Sequence, residues 1–411
     1  MRSILQGWVL AGAVALAVGA CTSGVALDED QRLSWSELEA AGLRQEHDLA
    51  VLSTSYFDAW NPKGHVALID GEGRTSVLEI PHQMNGKLAA RGRVLCATTG
   101  DGTLRIGDTG AQRWKRDEYT GIGHWAGVTD DGTCVSVLNS GAGPHGYATD
   151  VYWNGQGPER HAAVRVVPGP AGVRGGAVWV RDAGIEAPDG KISLHRADPT
   201  SPEASMVVAW SPRTGSSHDG KALYFEEGHG SELFWADGRF HYLEDIFAVT
   251  VREGGQGEIR PGIRSQTWLA SLNPRTQQRE ATLLVETPAG LFGRDDPTLR
   301  EHTAVISMKS GHLHRGAIYT ANGHGELLRV DLAARAMTRL GHLSEAALDA
   351  SGAVAAWRDA RLTLVLTATD GTVTREDYDL DAGSLTATTP LPELAPLAEG
   401  ARHLASAALL D

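Results

Sequence analysis

From about residue 47 onward, short apolar segments of strand length alternate with polar, glycine-containing turns. RGRVLCATTGDGTLRI (residues 91–106) and RGAIYTANGHGELLRV (residues 315–330) share the same order of strand, turn and strand. Asp-Gly and Asn-Pro pairs at other segment tips suit tight reversals between antiparallel strands. The pattern predicts a chain built of antiparallel hairpins.

The hairpins recur with a long period. Glycines at the repeat turns are spaced by roughly 36 to 48 residues, with one double interval, at Gly92, Gly132, Gly175, Gly220, Gly316, Gly352 and Gly400. A repeat of about 45 residues with four short strands is typical of a β-propeller blade. We therefore predict an all-β propeller. Seven blades are favoured and eight remain open, because residues 193–217 fit either a full hairpin or halves of two neighbouring blades.

The two ends of the repeat region are incomplete in a complementary way. Residues 49–80 begin with the later strands of a blade, whereas the Gly400 copy has a strand with no hairpin after it. Pairing the N- and C-terminal strands would complete one blade and remove the exposed sheet edges. The sequence thus predicts a ring closed by its own ends.

One helix is predicted before the propeller. Ser34 and Glu37 have the spacing of a capping box, in which side chains at the helix start satisfy free backbone donors. The following segment, residues 35–46, carries Leu38 and Leu43 on one face. We expect a short helix that packs on the propeller.

The N-terminal residues have the pattern of an export signal. Arg2 precedes an apolar run over residues 8–18, which is closed by Val18-Gly19-Ala20-Cys21. A single membrane-spanning helix is the alternative, but the run is short of the roughly 20 apolar residues that a bilayer requires.

The closing tetrapeptide resembles a bacterial lipobox. The resemblance implies cleavage before Cys21, lipidation of its thiol and anchoring at the extracytoplasmic face of the cell membrane. The expected organisation is a signal peptide over 1–20, a lipidated tether with the short helix over 21–46, and the propeller over 47–411.

One repeat also resembles a known blade type. SSHDGKALYFEEGHGSELFWADG (residues 216–238) is similar to TolB-type or WD-like blades, with His218 where that family usually has proline. The resemblance implies a fold and names no partner. The formal net charge of −14 argues against nucleic acid and anionic membrane surfaces as partners, and we expect a monomer.

Two cysteines remain besides Cys21. Cys96 and Cys134 lie on corresponding strands of successive repeats, and an exported protein could join them by a disulfide. Counted from Gly92 and Gly132, both side chains leave the same sheet face, which argues against a bond. A disulfide and two buried thiols both remain open.

Recognisable catalytic motifs are missing from the sequence. It contains no Gly-x-Ser-x-Gly, His-Glu-x-x-His or Cys-x-x-Cys pattern. His312 and His314 could ligate a metal, but no carboxylate or cysteine partner can be assigned, so we favour a surface turn. The acidic loop with Asp295 and Asp296 lacks the spacing of a calcium loop. We expect no catalytic residue, metal or cofactor.

Aromatic and histidine residues collect in two glycine-rich connections. They are either packing between blades or a candidate binding surface. The residues are His124, Trp125, His145, Tyr147 and Trp153.

Two functions are compatible with these features. The first is a membrane-anchored, non-catalytic module that binds an envelope protein or polymer through its loops. The alternative is an exported propeller enzyme, with hydrolase, lactonase or quinoprotein-like chemistry in the central channel. The strands that follow the repeat glycines, here called entry strands, are apolar and small, which favours binding over catalysis.

Overall fold

The structure is a computed structural model in which nearly all regular structure is β. The described residues are 27–55, 63–81, 86–99, 102–116, 121–143, 146–183, 191–211, 222–251, 257–259, 265–287, 311–322, 325–399 and 402–410. The helices within them are the α-helices α1 (Trp35–Ala41) and α2 (Glu345–Asp349) and the 3₁₀-helices Glu29–Gln31 and Pro392–Leu397.

The strands occupy most of the described chain. In chain order they are β1 (His47–Ser55), β2 (Lys63–Asp70), β3 (Thr75–Pro81), β4 (Lys87–Arg91), β5 (Val94–Thr99), β6 (Gly102–Gly107), β7 (Gly110–Lys115), β8 (Ile122–Val128), β9 (Cys134–Gly143), β10 (Gly146–Asn154), β11 (Arg160–Val164), β12 (Pro168–Arg174), β13 (Ala177–Asp182), β14 (Ile192–Ala197), β15 (Ser205–Trp210), β16 (Ala222–Ala236), β17 (Arg239–Val251), β18 (Gly257–Ile259), β19 (Ser265–Asn273), β20 (Gln278–Thr287), β21 (Gly311–His314), β22 (Ala317–Ala321), β23 (Glu326–Asp331), β24 (Ala336–His342), β25 (Gly352–Arg358), β26 (Arg361–Thr367), β27 (Val373–Asp379), β28 (Ser384–Pro390) and β29 (Arg402–Leu409).

These strands form a β-propeller arrangement, as the repeats predict. In the described part of the chain, β4–β7, β8–β11, β21–β24 and β25–β28 each form a four-stranded antiparallel sheet in sequence order. The repeat segments 91–106 and 315–330 supply the second and third strands of their sheets. The prediction of antiparallel hairpins is confirmed there.

A nine-stranded sheet occupies the middle of the chain. Its two halves are β12–β15 and the run β16, β17, β19 and β20, with β18 added beside β17. One parallel pair, Ala171 with Glu232, joins the halves. A side chain at Gly172 would lie 2.4 Å from the carbonyl oxygen of Leu233, so glycine permits this close approach. Residues 193–210 form a full hairpin between β14 and β15.

The chain ends meet in one sheet, as predicted. The last strand, β29, pairs with β1 from Leu49 opposite Leu409 to Ser55 opposite Arg402, and β2 and β3 complete the four strands. We call it the closing sheet. Each end therefore covers an edge that the other would leave exposed.

Helix α1 confirms the predicted cap but is shorter than predicted. The Ser34 side chain accepts a hydrogen bond from the Glu37 backbone N–H, and the Glu37 carboxylate accepts one from the Ser34 N–H. The helix ends at Ala41 because Gly42 adopts a φ of 68° and lies against the backbone of Gly107. Leu38 is buried beside the closing sheet and the β4–β7 sheet.

Apolar side chains fill the spaces between successive sheets. Leu95 and Ala97 of β5 pack toward the closing sheet, and Tyr319 and Leu364 belong to the cluster between the β21–β24 and β25–β28 sheets. Within the described residues, no helix is both long enough and apolar enough to cross a membrane.

Candidate functional site

The first strands of the sheets lie toward the centre of the propeller. Strand β29 contacts β4, β4 contacts β8, β8 contacts β12, and β12 contacts β16. In the same way β16 contacts β21, β21 contacts β25, and β25 contacts β29. Their side chains are therefore the ones that can meet in a central channel.

The entry strands, which follow the seven repeat glycines, occupy two different positions in their sheets. Gly92, Gly132, Gly175 and Gly316 precede second strands, whereas the strands β16, β25 and β29 after the other three glycines are first strands. This change of position accounts for the short interval between Gly316 and Gly352. The apolar character of the second strands reflects packing between sheets, so it does not argue against chemistry at the centre.

First strands do carry polar and titratable side chains. His124 lies on β8, Glu232 on β16, His312 on β21 and His403 on β29. Desolvation raises the pKa of the Glu232 carboxyl to about 7. A carboxyl group with that pKa can exchange a proton near neutral pH.

Two of the five predicted binding residues are packing residues. Trp125 and Trp153 are 8% and 3% exposed and lie in a cluster with Val178 and Val180 of the next sheet half. The indole N–H of Trp153 donates to the Gly176 carbonyl at 3.0 Å. For these two tryptophans, the interpretation as packing between blades is correct.

His124 and Tyr147 are half-buried, whereas His145 lies outside the described residues. The His124 Nε2 atom is 2.8 Å from the Gly169 carbonyl oxygen, and the Tyr147 hydroxyl donates to Asn139 Oδ1 at 2.6 Å. Each contact fixes a polar side chain beside a connection. The structure does not bring His124 and Tyr147 into direct contact in any described interaction.

A polar network near Tyr147 centres on Asp150. Its two carboxylate oxygens contact His161 Nε2 at 2.6 Å and the Ser140 hydroxyl at 2.5 Å. Burial alone would raise the pKa of Asp150, but these two hydrogen bonds lower it. The carboxylate lies between serine and histidine, so the order differs from that of a nucleophile activated by a histidine base.

Cys96 and Cys134 form a disulfide with a Cα–Cα distance of 5.6 Å. The side-chain count was wrong because the turns differ in length. Two residues separate the paired residues Arg91 and Val94, whereas five separate Val128 and Cys134. The two turns differ by an odd number of residues, so Cys96 and Cys134 leave opposite faces of their own sheets. The two side chains therefore point toward each other across the gap between the sheets.

His312 and His314 lie on a strand, so the expected surface turn is wrong. They occupy alternate positions of β21, which places both imidazoles on one face. Leu313 between them packs with Leu243 and Ile318. The His314 ring lies 6.3 Å from the ring of Tyr319, which belongs to the cluster shared with the β25–β28 sheet. The two histidines therefore face the β25–β28 sheet.

The carboxylate that the sequence could not assign to these histidines is Asp359. It lies in the two-residue turn between β25 and β26, with a φ of 49°. Its Oδ1 is 3.5 Å from His314 Nδ1, and one ligand atom from each of His312, His314 and Asp359 lies within 4.8 Å of the other two. We call these three residues the HHD cluster.

Three further residues predicted or considered as sites lie outside the described part of the chain. They are Cys21, Asp295 and Asp296, and most of the entry turn of the TolB-like segment lies outside it as well. From that segment the structure describes the backbone of β16, which is the first strand of its sheet half.

No protein-family model matches the sequence, and neither does any curated protein. Among solved structures, apo AztD from Citrobacter koseri has a TM-score of 0.41 at 10% identity, covering 88% of this chain and 98% of its own. A putative 6-phosphogluconolactonase from Bacteroides fragilis has a TM-score of 0.41 at 9% identity, with coverages of 90% and 99%. Neither similarity assigns a function.

Proposed function

We propose that this protein is a lipid-anchored, extracytoplasmic β-propeller of seven blades that binds an envelope protein or polymer. The lipid on Cys21 holds it to the membrane, and the ring presents its connections to the partner. The Cys96–Cys134 disulfide is the observation that supports the exported location in this proposal.

The disulfide supports an exported location. Structural disulfides persist in oxidising compartments and are rare in the bacterial cytosol. Pairing Cys96 with Cys134 leaves Cys21 as the remaining cysteine of the three in the chain. The lipobox-like segment gives that thiol the sequence context that acylation requires.

Seven blades are supported by the sheet contacts. The nine-stranded sheet consists of two four-stranded halves joined by a single parallel pair, so it counts as two blades. The contacts between the described first strands then form a closed succession of seven. This succession favours seven blades over eight.

The binding surface is narrower than the sequence indicates. Trp125 and Trp153 stabilise the interior, so the candidate contacts among the described residues are His124 and Tyr147. A net charge of −14 favours a neutral or basic partner surface.

The central channel supports an exported enzyme as the second candidate function. Glu232, with its raised pKa, lies on the first strand β16 and could supply an acid–base group to the channel. This alternative predicts turnover of an ester, lactone or glycoside, and loss of that turnover in Glu232→Gln.

The two functions can be separated with the purified full-length protein. Binding predicts saturable capture of a component from envelope extracts, weakened by a His124→Ala, Tyr147→Ala double variant and retained by Glu232→Gln. Capture unaffected by the double variant, together with turnover that Glu232→Gln abolishes, would overturn the binding proposal in favour of catalysis.

A further inference from the structure

We propose that His312, His314 and Asp359 form a binding site for a divalent transition-metal ion of the zinc class. This inference departs from the expectation of a metal-free protein. It also stands apart from the proposed function, because it concerns the folded propeller whether or not the chain is anchored.

The strand geometry supplies the first two ligands. Residues two apart on a strand share a face, and the rings of His312 and His314 are nearly parallel with centroids 6.4 Å apart. His314 Nε2 is buried and has no hydrogen-bond partner among the described residues. A buried imidazole nitrogen without a partner is costly. The His314 nitrogen nearest Asp359 is Nδ1, so coordination compensates for this cost where the ring presents Nε2 to the ion.

The neighbouring sheet supplies the third ligand. Asp359 reaches the histidines from a hairpin turn whose left-handed φ suits aspartate better than most residues. Nitrogen and oxygen ligands around a tetrahedral zinc ion stand about 3.4 Å apart. The ligand atoms of the cluster lie within 4.8 Å of one another, so the widest pair must move closer by up to about 1.4 Å. The Asp359 side chain is 75% exposed, so its carboxylate can adjust its position toward the histidines.

One arginine lies beside the carboxylate of the cluster. Arg358 Nε lies 4.0 Å from Asp359 Oδ2, so this cation competes for one carboxylate oxygen and leaves Oδ1 toward the histidines.

The ligand types select the metal. Two imidazoles and one carboxylate match zinc sites that keep a further position for water or a substrate atom. Magnesium and calcium prefer oxygen ligands, so they are poor occupants of this cluster. A bound ion would connect the β21–β24 and β25–β28 sheets at their first strands.

Metal binding can be tested on the tag-free full-length protein after chelator treatment. Zinc titration by calorimetry should show one ion per chain, with cobalt giving the visible absorption of a low-coordinate site. His312→Gln, His314→Gln and Asp359→Asn should each weaken zinc binding at least about tenfold, which is the loss that even an outer-shell change commonly causes. Excess magnesium should not compete.

Matched controls keep the test specific. His342 is exposed on β24 of the same sheet, and Asp237 occupies a left-handed turn position like that of Asp359. His342→Gln and Asp237→Asn should bind zinc like the parent protein. The proposal is overturned if the parent protein takes up no stoichiometric zinc, or if the folded Asp359→Asn variant binds zinc as tightly as the parent.

Discussion

Arg375 donates hydrogen bonds from both terminal nitrogens to the Asp48 carboxylate, at 2.9 and 2.7 Å. The two residues are far apart in the chain, and the pair links the β25–β28 sheet to the closing sheet. Arg375 also donates to Asp377 Oδ2 at 3.0 Å, and its side chain is 4% exposed. The guanidinium therefore satisfies two carboxylates beside the junction of the chain ends.

Replacing Arg375 by methionine should destabilise the whole propeller. The change leaves the partly buried Asp48 carboxylate without its cation, whereas Asp377 keeps its ion pair with Arg361. Removing one partner of a buried pair commonly costs about 3 to 5 kcal/mol. Chemical denaturation should show this loss. Arg329→Met, which breaks the more solvent-accessible pair with Asp331, should cost less than about 1 kcal/mol. Equal losses of unfolding free energy in the two variants would contradict a stabilising role for the Arg375–Asp48 pair at the junction of the chain ends.

Replacing the tryptophans of the glycine-rich connections should lower the stability of the fold more than it weakens partner binding. Trp125→Ala and Trp153→Ala remove buried rings, so each should lower the free energy of unfolding by about 3 to 5 kcal/mol. Tyr147→Phe loses one hydrogen bond and should cost only about 1 kcal/mol. Melting curves and partner capture on the same variants test this difference. A tryptophan variant with an unchanged melting temperature but lost capture would contradict the packing role.

The disulfide should stabilise the fold substantially. It closes a loop with a sequence separation of 38, for which loop-closure entropy gives about 4 kcal/mol. The Cys96→Ala, Cys134→Ala double variant should unfold at correspondingly lower denaturant concentration. Alkylation of the denatured mature protein should label no thiol before reduction and two afterwards. Two labelled thiols without reductant would rule out the bond.

Stability should fall in mild acid because of buried histidines. Desolvation lowers the pKa values of His195 and His241 below their usual 6.5. Between the folded and unfolded pKa values, the unfolded chain binds more protons, so this contribution is present above about pH 6.5 and is lost as pH falls through the folded values. Denaturation with chelator present should show lower stability at pH 5 than at pH 7.5. His241→Gln should reduce the dependence of the free energy of unfolding on pH. Equal stability of the parent protein at both pH values would contradict this account.

Local features were predictable from the sequence. The capping box of Ser34 and Glu37 needs only four residues, and hairpin tips are set by neighbouring glycines. The joining of the chain ends was also predictable, because each end carries an incomplete blade and pairing the two fragments completes one blade. These predictions rest on spacing within one element or on the count of strands.

Contacts between sheets were not predictable in the same way. The faces of Cys96 and Cys134 depend on the lengths of two turns, and a shared glycine pattern conceals that difference. Asp359 approaches His314 from the next sheet. It lies in a solvent-exposed turn, where no sequence motif marks it as a partner of the histidines. Entry strands look alike in sequence although some are first strands and others second, because both have short apolar cores.

The N-terminal peptide of the mature protein is the most direct test of the proposed anchored, exported state. Mass spectrometry of protein purified from membranes should find Cys21 as the first residue, carrying a diacylglyceryl group. Cys21→Ser should abolish labelling with a palmitate analogue and release the protein or leave it uncleaved. An unmodified Cys21 within an uncleaved parent chain, or labelling that persists in Cys21→Ser, would contradict the account.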